Sequence, residues 1–568
     1  MKGKLERVLK ESLGREMEVS RSAKPEFGHF STNVPLRTAK ETGGDPMAAA
    51  RELAAEIEKR APAGFFEKVE AAPPGFVNFR LSAGTIQAEL PAVSAPGFGE
   101  GDAFRGKKIM VEYTDPNPFK LFHIGHLMTN VIGESIARLH EAAGAEIVRA
   151  NYQGDVGVHV AKSIWGMRKL GDVPADSATL AEKVAFLGRA YAAGSKAYEE
   201  DEAAKAEIGV LNKKIYERSD AEMNDLYDLG KKWSLDYFET LYVRLGTKFD
   251  HYFFESEIGP KGVEIVKAHP EIFKESEGAV IFEGEKQGLH NRVFINSQGL
   301  PTYEAKELGL NETKFELYRP DISFVVTGNE INEYFKVVLK AMESVLPEVA
   351  AATVHLGHGM LRLPTGKMSS RTGDVITAES LIEEVKNAVA EKLKDRAELS
   401  EAEREEVKEK VALAAIRYSI LKQGIGKDIV FDIGKSIAFQ GDSGPYLQYT
   451  YARLESILRK AGDRTSIQNS ESSIQSSELA AETELALMLH LSGFPEAVSG
   501  SARDHAPHEM ALYLYELANF ANRFYEGEQI LTDENAARRA ARLELVGAAA
   551  VVLRRGMLVL GLQAPEKI

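Results

Sequence analysis

Lys107-Lys108-Ile109-Met110-Val111-Glu112-Tyr113 reads as a strand, and it runs into a loop carrying Pro116 and Pro118. A helical stripe follows from about His123, with Met128, Ile132, Ile136 and Leu139 on one face, and Glu146 to Tyr152 is extended again. Strand, loop, helix, strand is a unit that joins two parallel neighbours through a right-handed crossover. It commits this part of the chain to an open parallel sheet. It also puts the segment from Thr114 to Phe122 outside the carboxyl end of a strand, where such sheets bind ligands.

The rest of the chain is organised around that unit. With 568 residues it exceeds what one hydrophobic core holds. Residues 1–98 read as a small α+β domain. A helical pattern at Leu5, Val8, Leu9 and Leu13 opens it, a turn falls at Pro25 and Gly28, and Val69 to Leu81 is a strand pair broken at Pro73-Pro74-Gly75. Residues 99–375 are the sheet domain, with a charged, alanine-rich helical insertion around 171–245. Strands at Val280–Phe282, Arg292–Ile295, Ser323–Val326 and Thr353–Leu356 are expected to complete the sheet's second half. Residues 376–568 are almost wholly helical, apart from a Ser-, Gln- and Asn-rich stretch from Asp463 to Ser477 that is expected to be a mobile loop.

Composition excludes several classes. No run of about 18 apolar residues is present to cross a membrane, and Met1 to Arg15 lacks the apolar core of a signal peptide. There is no cysteine, hence no disulfide and no thiolate metal site. A cytoplasmic, monomeric protein without a structural metal is the expectation. The net charge of −15 would by itself argue against a nucleic-acid partner, although RNA binding depends on local basic patches rather than on the sum.

Two segments carry chemistry. His123-Ile124-Gly125-His126 falls where the first strand hands over to its helix. A helix N-terminus offers unpaired N–H groups to phosphate. Gly125 lets a base approach the backbone, and two imidazoles can donate hydrogen bonds to phosphate oxygens that gain charge. The plain alternative is that both histidines only cap the helix. Gly366-Lys367-Met368-Ser369-Ser370-Arg371-Thr372-Gly373 is a loop with two cations and small hydroxyls. Lys367 and Arg371 can reach a leaving pyrophosphate, or they mark a basic surface turn.

Together these segments resemble the HIGH and KMSKS signatures of class I aminoacyl-tRNA synthetases. The form with Ser370 in place of the second lysine, followed by Arg371, resembles the arginine-specific members. So do Val111-Glu112-Tyr113-Thr114-Asp115-Pro116-Asn117-Pro118, Asn151-Tyr152-Gln153-Gly154-Asp155-Val156-Gly157, Pro301-Thr302-Tyr303-Glu304-Ala305-Lys306-Glu307, Lys24 to Asn33, Gly444-Pro445-Tyr446-Leu447-Gln448-Tyr449 and the tail Ala564-Pro565-Glu566-Lys567. The resemblance implies a Rossmann-like α/β catalytic domain, an α+β N-terminal tRNA-binding domain and an all-α anticodon-binding bundle. It implies ATP-dependent ligation of L-arginine to tRNA(Arg) through an arginyl-adenylate, with Mg2+ travelling with ATP.

By the same resemblance His123, His126 and Lys367 stabilise the transferring phosphate, and Gly125, Ser369 and Arg371 complete the ATP site. The first signature region spans Pro116, Asn117, Pro118, Phe119, Lys120, Leu121, Phe122, His123, Ile124, Gly125 and His126. Glu112, Asn117, Tyr303 and Glu307 are the expected arginine ligands. A planar cation with five donors calls for carboxylates and planar acceptors. Tyr449 is the candidate for RNA contact. Departures from the family pattern are Glu307 where aspartate is common, Val156 where tryptophan is common, and the segment Gly328 to Phe335, from which no ligand is assigned. A class I enzyme for another amino acid and a catalytically silent RNA-binding paralogue are the alternatives. A cysteine enzyme would want thiolate zinc, and a silent paralogue usually loses a signature His or Lys.

Overall fold

The computed structural model describes the chain except residues 23, 96, 365–375, 395–399 and 463–475. At its centre is a five-stranded sheet of β1 (Lys108–Glu112), β2 (Glu146–Gln153), β3 (His251–Phe254), β4 (Ile322–Gly328) and β5 (Thr353–His358). Their spatial order is β3-β2-β1-β4-β5, and every pairing is parallel. From β1 the chain fills one side of the sheet first and the other side afterwards. The crevice where that direction reverses, between β1 and β4, is the place such a fold leaves for a ligand. Ile109, Met110 and Val111 have no exposure, as a central parallel strand covered on both faces requires.

Helix α1 (Ile124–Ala142) leaves the end of β1's loop and is buried along most of its length. It lies between the sheet and helices of the C-terminal region, including Glu401–Leu421 and Phe494–Arg503. Close approach is possible because residue 133 is glycine. A Cβ there would sit 2.3 Å from the Tyr113 side chain. Helix α2 (Val158–Leu170) follows β2, and the insertion consists of Leu180–Glu200, Glu202–Glu217 and α3 (Ala221–Leu245). Gly230 of α3 lies against the Phe119 ring, and the Phe119 N–H donates to Ser234 Oγ at 2.8 Å. The insertion therefore holds the loop that precedes α1.

One expectation is corrected. Ala279–Phe282 and Arg292–Ile295 do not join the parallel sheet. They form a separate antiparallel sheet with Phe273–Ser276, around a core of Phe273, Phe282 and Phe294. The short connection between them permits antiparallel pairing only, since a parallel partner needs a long crossover. The fifth place in the central sheet goes to β3, whose four residues were too few to read as a strand. Helix α4 (Tyr303–Tyr318) follows the small sheet and packs back toward the main one.

The N-terminal residues form an antiparallel sheet in the order Ser20–Arg21, Phe30–Thr32, Phe76–Leu81, Phe66–Ala72, backed by Lys2–Leu13 and Pro46–Arg60. From Gly444 onward the described elements are helices, and one of them buries Arg542 among Glu484, Glu528 and Asp533. Arg21 Nη1 and His490 Nδ1, 3.0 Å apart, tie the two end regions together. Among the described residues no helix is long and apolar enough to cross a membrane. Residues 463–475 of the expected Ser-rich loop lie outside the described residues.

Gly133→Ala tests the packing of α1. Helix propensity alone favours alanine by about 1 kcal/mol. The overlap with Tyr113 should reverse the sign and destabilise the protein by about 1–3 kcal/mol in chemical denaturation. A gain in stability would show that α1 does not bear on Tyr113 as described.

Candidate active site

A cavity of about 440 Å³ opens at the carboxyl ends of β1 and β4. His123, Gly125 and His126 form one wall, Asp115 and Tyr303 another, and Val326 to Gly328 the β4 side. His123 caps α1. Its Nδ1 accepts from the N–H groups of Gly125 (3.1 Å) and His126 (3.4 Å), while His126 Nδ1 accepts from the His123 N–H (3.3 Å). The rings stack with centroids 3.6 Å apart. Capping and chemistry are thus not alternatives here. A neutral ring that accepts at Nδ1 carries its proton on Nε2, so each ring keeps one N–H donor beyond the cap. Burial, helped by Lys120, pulls His123 from 6.5 down to about 4. Burial, then His123, then Lys120 push His126 well below the usual imidazole range.

The loop before the histidines is held under strain. Thr114, Asp115 and Phe119 have φ values of 79°, 44° and 69°, a region that non-glycine and especially β-branched residues avoid. Neighbouring elements hold it there. Asn130 Nδ2 donates to Thr114 Oγ1 at 3.0 Å, and the Tyr152 N–H donates to Asp115 Oδ1 at 2.7 Å. Lys367, Ser369 and Arg371 of the second signature lie outside the described residues. The chain just after them is fastened to the first signature. The Ile124 N–H donates to the Ile376 carbonyl (3.2 Å) and the Ala378 N–H to the Phe122 carbonyl (3.0 Å).

The expected arginine ligands divide. Tyr303 borders the cavity, whereas Glu112, Asn117 and Glu307 lie behind its walls. Glu112 is buried, with Lys314 Nζ 2.5 Å away, and Lys314 has no exposure either. Glu307 is fully buried on α4. Asn311 Nδ2 donates to its Oε2 at 3.3 Å, and among the described residues its Oε1 has no well-formed hydrogen bond. Burial, then Glu112, push Glu307 up to about 8, while Lys314 and the Tyr303 hydroxyl pull it back. The Tyr152 and Tyr334 hydroxyls, both electrostatically in reach of Glu307, are also buried and have no hydrogen-bond partner among the described residues. The Tyr334 ring lies 5.1 Å from that of Tyr303. Asn117 sits over Gly154, where a Cβ would come within 2.3 Å of its Oδ1.

Four residues here were not picked out from the sequence: Asp115, Tyr152, Lys314 and Tyr334. Asp115 stood inside a quoted motif, but its backbone angle is not visible in one. Tyr334 lies in the segment that departs from the family pattern. Far from this cavity, Tyr449 lines a cleft of about 400 Å³ with Arg453, Arg459, Lys460 and Tyr525. Arg453 Nη2 donates to its hydroxyl at 3.0 Å, while Tyr451 belongs to the helical core.

Comparison with known proteins agrees with this geometry. Residues 98–433 match the family model for the class I (R) tRNA synthetase catalytic domain. Residues 1–81 match that for the arginyl tRNA synthetase N terminal domain, and 447–568 that for the DALR anticodon binding domain. This chain belongs to the arginyl-tRNA synthetases of class I. The arginine–tRNA ligase of Bdellovibrio bacteriovorus is 32% identical to it over 555 residues, 95% of this chain and 92% of the relative. That of Treponema denticola is 30% identical over 557 residues, 96% and 94% of the two chains. Thermus thermophilus arginyl-tRNA synthetase superposes with a TM-score of 0.82 at 26% identity, covering both chains completely. The synthetase fold thus extends over the N-terminal sheet, the catalytic sheet and the helical bundle alike.

The histidine geometry carries a pH signature. Histidine-selective nitrogen NMR of the unliganded synthetase should find His123 and His126 neutral, with the proton on Nε2, down to about pH 5. Because the folded pKa of His123 is depressed from 6.5 to about 4, its contribution to stability is complete above the unfolded value and is lost as pH falls through that window. His123→Asn can still cap the helix, and it should lose less stability between those pH values than the wild type. Identical acid sensitivity would show that His123 is not held neutral.

Proposed function

We propose that this synthetase joins L-arginine to tRNA(Arg) in two steps at the described cavity. The arginine carboxylate attacks the α-phosphorus of ATP and pyrophosphate leaves. A ribose hydroxyl of the terminal tRNA adenosine then attacks the activated carbonyl. No protein nucleophile is required, so catalysis is positioning plus stabilisation of charge on phosphate oxygens. The observation that carries the reading is a cavity bordered both by a helix N-terminus that His123 and His126 cap through Nδ1 and by Tyr303, with the buried Glu307 carboxylate, one oxygen unmatched among the described residues, on the same helix as Tyr303.

In this reading the α1 N-terminus with Gly125, His123 and His126 receives the nucleotide, and Lys367, Ser369 and Arg371 supply charge and hydroxyls for its phosphates. Mg2+ enters with ATP, held through phosphates and water. Tyr303 covers the arginine stem. Glu307, with the hydroxyls of Tyr152 and Tyr334 near it, faces the guanidinium, and Asn117 supports the polar end through its seat on Gly154. The cleft at Tyr449 suits stacking of an unpaired base on Tyr and Arg.

ATP–pyrophosphate exchange measured across amino acids, with and without tRNA, tests this directly. Exchange should appear with arginine once tRNA is present, and exchange with another amino acid instead would end the proposal. Lys367→Ala should reduce exchange by roughly 10²- to 10³-fold while tRNA binding persists. Unchanged activity would remove Lys367 from the mechanism. Arginine affinity should also depend on pH. Below the Glu307 value of about 8 a bound cation must displace its proton, so affinity should rise from pH 6 toward 8, by roughly tenfold per unit at most. Calorimetry in buffers of different ionisation enthalpy should detect the released proton, and none would be released if Glu307 does not meet the ligand.

A further inference from the structure

Helix α3 comes from the insertion, yet its carboxyl end is fastened to helices that follow the sheet, α5 (Glu401–Leu421) and α6 (Ala536–Val559). Two arginines make the joint. Arg417 of α5 donates from Nη2 to the Leu245 carbonyl of α3, and from Nη1 to the Gly561 carbonyl just past α6 at 2.8 Å. Arg138 of α1 repeats the pattern. It donates from Nη2 to the Gly246 carbonyl at 3.0 Å and from Nη1 to the Leu558 carbonyl of α6 at 3.1 Å. Each guanidinium therefore spans the same two helix ends. Gly561 has a φ of 71°, and a Cβ there would sit 2.1 Å from Arg417 Nη1, so the contact calls for glycine. Beside the joint, Arg244 of α3 pairs with Glu409 of α5 at 2.7 Å and with Glu383 at 2.5 Å.

Arg417 is buried, and burial followed by repulsion from Arg138 brings its guanidinium down to about 10. Glu134 offsets that repulsion, but it also takes Arg138 Nε at 2.6 Å, the Tyr113 hydroxyl and, at 3.5 Å, Arg149 Nε. Further compensation comes from the carbonyl ends of α3 and α6, where a helix concentrates partial negative charge. Withdrawing either end would strand buried cations, which is costly. The joint thus fixes where α3 ends and which part of α1 lies against it.

Gly230 of α3, about 24 Å back along the helix from Gly246, lies against the Phe119 ring, and Ser234 Oγ accepts from the Phe119 N–H. Nearer the joint, the Phe238 and Tyr242 rings lie 6.2 and 6.4 Å from that of Phe122. The Phe122 ring in turn lies 5.2 Å from that of His126. A shift of α3 at the joint therefore reaches the histidine pair. Tyr303 and Glu307 belong to α4, whose main neighbour is Glu255–Ala268. The joint bears on the phosphate side of the cavity and not on the arginine side. We propose that Arg138 and Arg417 are positioning residues for adenylate formation, which set the histidine pair against the α-phosphorus by locking α1, α3 and α6 together.

This role presupposes the arginine-activating reading above, which wild-type exchange with arginine tests by itself. Arg417→Met keeps the length of the side chain and removes its donors. Arg138→Met, at a half-buried position, serves if the first variant does not fold. Exchange is measured with tRNA present, and kcat is divided by the fraction folded, read by circular dichroism at the assay temperature. That kcat should fall on the order of 10- to 100-fold, while the KM for arginine stays within about twofold of wild type. A double-mutant cycle separates positioning from stability. Ser234→Ala cuts the tie between α3 and Phe119. Combined with either methionine variant, it should lower kcat by clearly less than the product of the two single effects, because both act along one path. Three results would overturn the proposal and leave arginine activation intact. They are single effects that simply multiply, a kcat per folded molecule equal to wild type, and a raised KM for arginine with kcat unchanged.

Discussion

Beneath the substrate cavity Lys314, with no solvent exposure, meets Glu112 at 2.5 Å, and much of the site takes its form from that pair. An isolated charge in a protein interior costs several kcal/mol, so neither partner can be there without the other. Glu112 ends the central strand, and Lys314 lies about three turns along α4 from Tyr303. Their pairing fixes α4 against the carboxyl end of β1, and so fixes Tyr303 and Glu307 relative to the histidines. A hydrophobic contact could hold the helix as firmly. It would not set the local charge against which a cationic substrate is read.

The histidine pair obeys a similar economy of groups. Each ring uses one nitrogen to satisfy a backbone N–H at the start of α1, groups that every helix leaves unpaired. The same bonds decide which nitrogen retains a proton. A structural need and a chemical one are thereby met by a single arrangement. The anchoring of Ile376 and Ala378 on either side of His123 extends it to the chain that emerges from the second signature.

What the sequence made legible was whatever repeats locally. Met128, Ile132, Ile136 and Leu139 declared α1, and Pro116 with His123 declared the loop and its junction. The same local signs marked Val280–Phe282 and Arg292–Ile295 as extended, but propensity does not say which sheet a strand joins. His251–Phe254, with four residues, gave too little periodicity to register. Lys314 stands between Glu312 and Glu316 and reads like any exposed helical lysine. Its burial follows from the docking of α4 on β1, a contact between residues some two hundred positions apart. Asp115 was hidden for another reason. Thr-Asp-Pro spells an ordinary turn, and nothing in those letters reveals two successive left-handed residues. Class, architecture and the histidines could thus be read from the chain, while the buried pairing of Glu112 with Lys314 required the fold.

The unmatched oxygen of Glu307 bears on fidelity. Citrulline copies arginine's shape but ends in a neutral ureido group with no charge on the side chain. With Glu307 assigned to the guanidinium as proposed above, citrulline's neutral ureido group would leave an ionised Glu307 without a counter-charge, a mismatch on the order of 3–5 kcal/mol. Sites that recognise a polar group by pairing it can reject its absence at the binding step, without a second hydrolytic pocket. With Glu307 pushed up to about 8, the strength of that rejection is set by acidity. A protonated carboxyl offers the impostor's carbonyl a hydrogen bond, whereas an ionised one finds only neutral N–H donors in place of a cation. The accuracy of this pocket should therefore sharpen as the medium becomes more alkaline.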